Sequence, residues 1–318
     1  MPFLPITSGR NGGGDPLSLL AKELLVVTGK GGVGKSTVAA SIGLIAARRG
    51  LRTIVAEVAA RNDVTRALAG ERRAGHYAED EVLPNLHHIS IDPEDALEEY
   101  LREQLPTPLA EVLAQSRMFT VFAAATPGMR ELLSIGKVWE LAQEARRTPG
   151  GRPYDLVILD APATGHGVAI LEAPRTFAGA ARVGTVARQG RTIHAMLADP
   201  ARTGVIAVAT PEEMPVNETI ALRRALRERM GLELERVVVN GMEHSRFSAA
   251  EAQRLAGEGE PVRAARWHHA RARAHRNQLD RLRRGLHGVP CTTLPQLHVL
   301  EVDAPELEQL AGRLERAL

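Results

Sequence analysis

The chain has 318 residues, 44% of them apolar and 3% aromatic, with a formal net charge of +2. That length admits one large α/β domain or about two of ~150 residues, with enough apolar matter for a sizeable core. Near-neutral charge and scarce aromatics exclude an overall electrostatic or stacking platform for nucleic acid, and a lone cysteine, Cys291, excludes an internal disulfide or a cysteine-built zinc site.

Residues 1–20 read as a flexible lead-in, rich in glycine over 8–16 and without the basic start and apolar centre of a signal peptide. No run of 18 apolar residues follows, so the expected protein is soluble and cytoplasmic. From residue 21 to 318 the pattern alternates strand and helix. Predicted strands cover 24–28, 53–58, 86–91, 156–160, 205–209, 236–240 and 289–294, mostly apolar on both faces as buried parallel strands are. Predicted helices include 36–49 and 218–230. The rhythm predicts an α/β fold with a doubly wound, mostly parallel sheet.

The first strand runs into Gly29, Lys30, Gly31, Gly32, Val33, Gly34, Lys35, Ser36 and Thr37. Backbone N–H groups of such a turn wrap a phosphate at a helix N-terminus. Lys35 reaches the β/γ-phosphates and the Ser36 hydroxyl takes a position on Mg²⁺. The string also satisfies the dinucleotide pattern G-x-G-x-x-G, with Glu57 about 20 residues on as a ribose-binding acid. The continuation Gly34-Lys35-Ser36-Thr37 decides for a phosphate loop, since a dinucleotide site has no use for that lysine and hydroxyl. A bound nucleoside triphosphate follows.

About sixty residues then separate the strands at 86–91 and 156–160, more than a crossover needs. Asp92 and Pro93 open one helix, Pro106 and Pro108 interrupt it, a second runs to Phe122, and Pro127 starts a third. This stretch, about 93–150, is either a helical insert at the ligand-binding edge or a plain cap on the sheet.

Asp160 ends a buried apolar strand and is the second acid such a site needs, holding Mg²⁺ through water. Its alternative is a helix N-cap, but an acid there is costly without a strong partner. The following Ala161–Gly167 stretch has the glycine and proline content of a switch loop. A guanine-reading Asn-Lys-x-Asp is absent after the late strand. Asn240 can pair with adenine through its amide, so ATP is expected rather than GTP. Residues 262–287 carry eight arginines and four histidines. With a single interleaved aromatic, Trp267, they read as a solvated helix whose Leu279, Leu282 and Leu286 face the core. No carboxylate or cysteine completes a metal site with His268, His269 and His275. The last helix, from residue 305, carries Leu307, Leu310, Leu314 and Leu318 on one packing side.

Lys30 within the loop, and Asp160-Ala161-Pro162-Ala163-Thr164-Gly165-His166, resemble the anion-transporting ATPase family, which includes arsenite-pump and tail-anchored-protein-targeting ATPases. Further matching segments run from Ile91 to Leu97, Pro127 to Leu133 and Pro211 to Thr219, with Val238-Val239-Asn240 and Leu294-Pro295 like the family's adenine-contacting ends. The resemblance covers about residue 22 to the C-terminus. It implies a signature-lysine, phosphate-loop ATPase with ATP and Mg²⁺ (Ser36 and Asp160 toward the metal, Asn240 and Pro295 toward the base). It also implies a dimer, of identical chains or with a paralogue, in which Lys30 reaches the opposite subunit's phosphates. Switch loops would report to a protein client or membrane-associated partner, for a protein that is cytoplasmic with or without a peripheral place at a membrane.

Three departures limit the resemblance. Val58 stands where the family's switch I aspartate positions water, leaving Glu57 or Asp63 to substitute, or hydrolysis slow. The Cys-x-x-Cys zinc pair of the targeting members is absent, and no cysteine cluster could sense arsenite. The expected function is an ATP-hydrolysing dimeric switch. The alternatives are a low-activity regulatory subunit of a heterodimer and a partitioning or positioning ATPase.

Overall fold

The computed structural model describes residues 19–58, 62–70, 77–114, 116, 126, 128–148, 150–181, 184–255, 257 and 259–317. The lead-in up to residue 18, the middle of the switch I stretch at 59–61, the stretch of the insert containing Met118, Phe122 and Pro127, and Leu318 lie outside them.

The strands are β1 (Leu24–Gly29), β2 (Thr53–Val58), β3 (Asp80–Leu83), β4 (Leu86–Ile91), β5 (Leu156–Ala163), β6 (Thr203–Ala209), β7 (Leu234–Met242) and β8 (Cys291–Pro295). They form one sheet in the order β3-β4-β2-β5-β1-β6-β7-β8. All neighbours are parallel except β3, which runs antiparallel to β4 at one edge. The doubly wound α/β expectation therefore holds, and β3 is the element it missed. Asp80 and Glu81 hide that strand, because a short edge needs no apolar run.

Alternate strand residues feed two cores. Leu24, Val26, Ile54, Val157 and Leu159 face one layer, while Leu25, Val27, Val55, Leu156 and Ile158 face the other. The second layer holds α1 (Lys35–Arg48), α2 (Asp63–Ala69) and α11 (Ala304–Glu315), with Leu307, Leu310 and Leu314 of α11 buried as expected. The first holds α5 (Met129–Leu141), α6 (Thr164–Ala181), α7 (Thr185–Leu197), α8 (Glu213–Met230) and α10 (Glu260–Leu286). Between β4 and β5, α3 (Pro93–Gln104) and α4 (Thr107–Ala114) precede α5, and α9 (Ala249–Arg254) precedes α10. Asp92 caps α3, accepting from the Glu94 N–H at 2.8 Å. Of the helices after β4, α5 is part of the layer that covers the sheet, burying Ile135, Val138, Trp139 and Leu141.

Chain direction turns at β1, which lies between β5 and β6, so the crevice at its carboxyl end is where such sheets bind ligands.

Candidate functional site: a phosphate loop at the sheet's turning point

Residues 30–34 join β1 to α1. Gly29 has φ +152°, and a Cβ there would lie 2.1 Å from the Val208 carbonyl oxygen of β6. Gly34 has φ +91°, and a Cβ would lie 2.3 Å from Asn240 Nδ2. Both positions thus demand glycine for backbone shape and for close approach. Lys35, buried in the first turn of α1, donates to the Lys30 carbonyl at 3.0 Å and braces the loop. Asn240 Nδ2 donates to the Val33 carbonyl at 3.0 Å, so the end of β7 touches the loop from the far side. Pro295, ending β8, pairs in register with Met242 of β7.

Asp160 lies within β5, flanked in register by Val27 of β1 and Glu57 of β2. Ser36 Oγ donates to Asp160 Oδ2 at 2.5 Å. A hydroxyl and a carboxylate side by side at the first turn after the loop are the hard oxygen donors that suit Mg²⁺. Asp160 is not a helix N-cap. β5 continues to Ala163, which pairs with Gly29, and α6 begins at Thr164. The expected switch loop at 161–167 is therefore strand as far as Ala163, where Gly29 of β1 pairs with it, and helix from Thr164.

Val58 and the two acids expected to substitute for it, Glu57 and Asp63, separate. Val58, ending β2, packs against the apolar layer that holds α5. Glu57 points the other way and is fully buried, accepting from His88 Nε2 at 2.8 Å and from the Val64 N–H at 3.1 Å. Asp63 opens α2 and lines a cleft of about 350 Å³ with Ser36, Thr37, Arg66 and the 301–303 segment after β8. Asp63 is ion-paired with Arg66. Lys30 leaves its own loop on the exposed side. Its Nζ pairs with Glu218 Oε1 of α8 at 3.0 Å and also meets Met214 Sδ.

On α10, Ala272, His275, Leu279, Leu282 and Leu286 are buried, as the leucine spacing requires. The carboxylate that sequence reading found missing there is supplied from β7's end. Glu243 lies 3.3 Å from His268 Nε2 and 3.6 Å from both Arg271 Nε and His298 Nε2. Nothing local in the sequence links residues 243 and 268, so only the fold shows it. Among the described residues no three histidine, cysteine or acidic side chains are arranged to hold a metal ion, nor is any helix long and apolar enough to cross a membrane.

The turning point, the glycine-locked loop and the Ser36–Asp160 pair define a phosphate-loop nucleotide-binding protein. The pattern of the anion-transporting ATPase family matches residues 22–182 and 178–255. The chain is 30% identical over 249 residues to ATPase BagA of Mycobacterium tuberculosis, covering 74% of this chain and 69% of that protein. It is 28% identical over 214 residues to an arsenical pump-driving ATPase of Escherichia coli (66% and 33%), and 25% over 252 residues to that of Acidiphilium multivorum (72% and 42%). The chain belongs to the anion-transporting ATPase family and is an ATPase.

Proposed function

We propose that the chain is a Mg²⁺-dependent ATPase working as a dimeric switch, in which nucleotide state is passed to a protein or membrane-associated partner. The observation that carries the dimer is the direction of Lys30. It does not turn into its own loop but is held at the surface by Glu218 and Met214, where a second subunit's phosphates can meet it. Lys35 would neutralise β/γ-phosphate charge from within the loop, and backbone N–H groups of 30–36 would wrap the phosphates. Ser36 and Asp160 would hold Mg²⁺, which supplies charge neutralisation at the transferred phosphoryl group when bound. Asn240 and Pro295 would frame the adenine. Asp63 is the acid facing the cleft, and is assigned to orient water in place of the aspartate absent at Val58.

The test is ATP hydrolysis across a wide range of protein concentration, with and without Lys30→Ala. Specific activity that rises with concentration is expected, together with a loss on the order of 10³-fold or more in the variant, as for a charge supplied across a subunit boundary. Full turnover and dimerisation of Lys30→Ala would refute the cross-subunit role.

A second reading is favoured by Val58 alone. Its packing into the apolar layer removes the expected acid, so the chain would bind ATP as a low-activity subunit completed by a paralogue. Background turnover that rises only on adding such a partner distinguishes it.

A further inference from the structure

β2 and β4 are adjacent, with Val55 opposite His88 in register. Glu57 lies two residues on from Val55, so both polar side chains face the α1 and α2 layer, and both are 0% exposed. His88 Nε2 donates to Glu57 Oε2 at 2.8 Å, and the same oxygen accepts from the N–H of Val64, the second residue of α2, at 3.1 Å. One oxygen thereby joins two strands to the first turn of a helix. Asn62, the residue before α2, makes no side-chain cap, so an N–H that helix ends leave open is satisfied from the sheet instead. The turn held in this way carries Asp63, and Arg66 follows one turn on, both in the wall of the cleft beside Ser36 and Thr37.

This node is poorly made for stability alone. A buried carboxylate is costly unless paired, and well-packed apolar residues would fill the place at no such cost. Glu57 Oε1 and His88 Nδ1 have no hydrogen-bond partner among the described residues. Buried polar groups left in that condition call for a reason other than packing.

We propose that Glu57 and His88 are positioning residues for hydrolysis: a buried latch that fixes the first turn of α2, and through it Asp63 and Arg66, over the nucleotide cleft. The inference rests on the ATPase site described above. His88 acts through Glu57, and Glu57 acts through the Val64 N–H. The latch therefore needs an acceptor at Glu57 and a hydrogen-bonding side chain at His88, but no negative charge.

The test compares His88→Ala, His88→Gln and Glu57→Gln in the full chain by amide hydrogen exchange over residues 62–69 and by steady-state ATP kinetics. For His88→Ala, exchange should quicken in α2 more than in β1, β5 or β6. Its kcat should fall on the order of 10²-fold, the size of effect an ångström-scale misplacement produces, while KM for ATP stays near wild type. Glutamine at either position keeps the hydrogen bonds and should restore most of both readouts. Unchanged α2 exchange in His88→Ala would overturn the latch. So would Glu57→Gln that loses turnover with α2 exchange intact, since the carboxylate would then act on water itself. If His88→Ala does not fold, His88→Leu, which fills the space but cannot hydrogen-bond Glu57, takes its place under the same criteria. Exchange reads the latch whether or not the chain turns over ATP, so a wild-type protein without hydrolysis would fail the ATPase reading separately.

Discussion

Two groups of charged and polar residues, one at α5 and one at the nucleotide end, are built in contrary ways. Beneath α5, charges are saturated. Arg146, with its side chain 1% exposed, donates to Glu79 at 2.5 Å and to Glu140 at 2.8 Å. Glu140 also accepts from the N–H groups of Arg147 and Thr148. Lys137 donates to Glu99 at 2.7 Å, and Tyr154 donates to Glu79 at 2.8 Å. At the nucleotide end, by contrast, Thr28 Oγ1 and Glu57 Oε1 are buried with no hydrogen-bond partner among the described residues. Lys30 and Asp63 are held by half-exposed or exposed pairs that a ligand can compete with. Pairing of the charged groups is complete in the Arg146 cluster. It is left incomplete where a ligand is to finish the arrangement.

The comparison breaks hardest at Arg146. Arg146→Ala would remove the buried cation that Glu79 and Glu140 share and should cost about 3–5 kcal/mol, read as a fall in urea midpoint. ATP binding by the folded fraction should persist, because no residue of the loop touches this cluster. Arg224, paired with Glu228 on the exposed face of α8, is the control, and its alanine variant should unfold with wild type. The mirror experiment is Lys35→Ala. That change should leave the urea midpoint near wild type while lowering turnover on the order of 10²–10³-fold, the effect of removing one preorganised charge donor. A large midpoint shift in Lys35→Ala would show that the nucleotide end also carries the fold.

The same contrast explains what could be read from the chain before its structure. The phosphate loop was legible because each of its residues answers a local demand. Gly29 and Gly34 meet backbone requirements, and Lys35 and Ser36 stand at fixed offsets on the next helix. The strand pattern was legible because buried parallel strands such as 156–159 are apolar on both faces. Asp160 was legible as the polar end of one of them. Glu57 was visible only as an acid of uncertain duty, and His88 was invisible, since their pairing depends on β2 lying beside β4. The Arg146 cluster was missed for the same reason. Its members come from the residue before β3, α5 and the segment before β5, and no spacing in the sequence joins residues 79, 140 and 146. The length of β5 was underestimated because Pro162 and the glycines after it read as a loop, whereas the strand runs on to Ala163, which pairs with Gly29 of β1, and the glycines belong to α6.

A smaller effect sharpens the nucleotide side. Glu218→Ala frees Lys30 from a pair whose two side chains are 29% and 35% exposed. Such pairs are worth about 0.2–1 kcal/mol and a homodimer holds two of them, so the proposed ATP-dependent dimers should form at a protein concentration about two- to 30-fold lower. Sedimentation over a concentration series measures it. An unchanged midpoint would mean that Glu218 does not restrain the lysine.

The last effect is confined to low pH and belongs to the saturated cluster. Burial would raise the Glu140 carboxyl, but Arg146's hydrogen bonds and the nearby Lys137 charge overcome it and hold it down at about 2, against 4.5 for the free group. Glu79 is shifted in the same direction; burial again opposes, and the Arg146 and Tyr154 hydrogen bonds prevail. Because the folded values are depressed, the unfolded chain binds more protons between about pH 4.5 and 2, and folding must expel them. The stabilisation is therefore complete above about pH 4.5 and is lost as pH falls through 2. The stability of α5 against opening, taken from amide exchange relative to the intrinsic rate at each pH, should fall as pH drops across that interval and be flat from pH 5 to 7. In Glu140→Gln the acid-side slope should shrink, because one of the two depressed carboxyls is gone. A slope that survives the substitution would assign the acid sensitivity to Glu79 alone, and with it the tighter hold of Arg146.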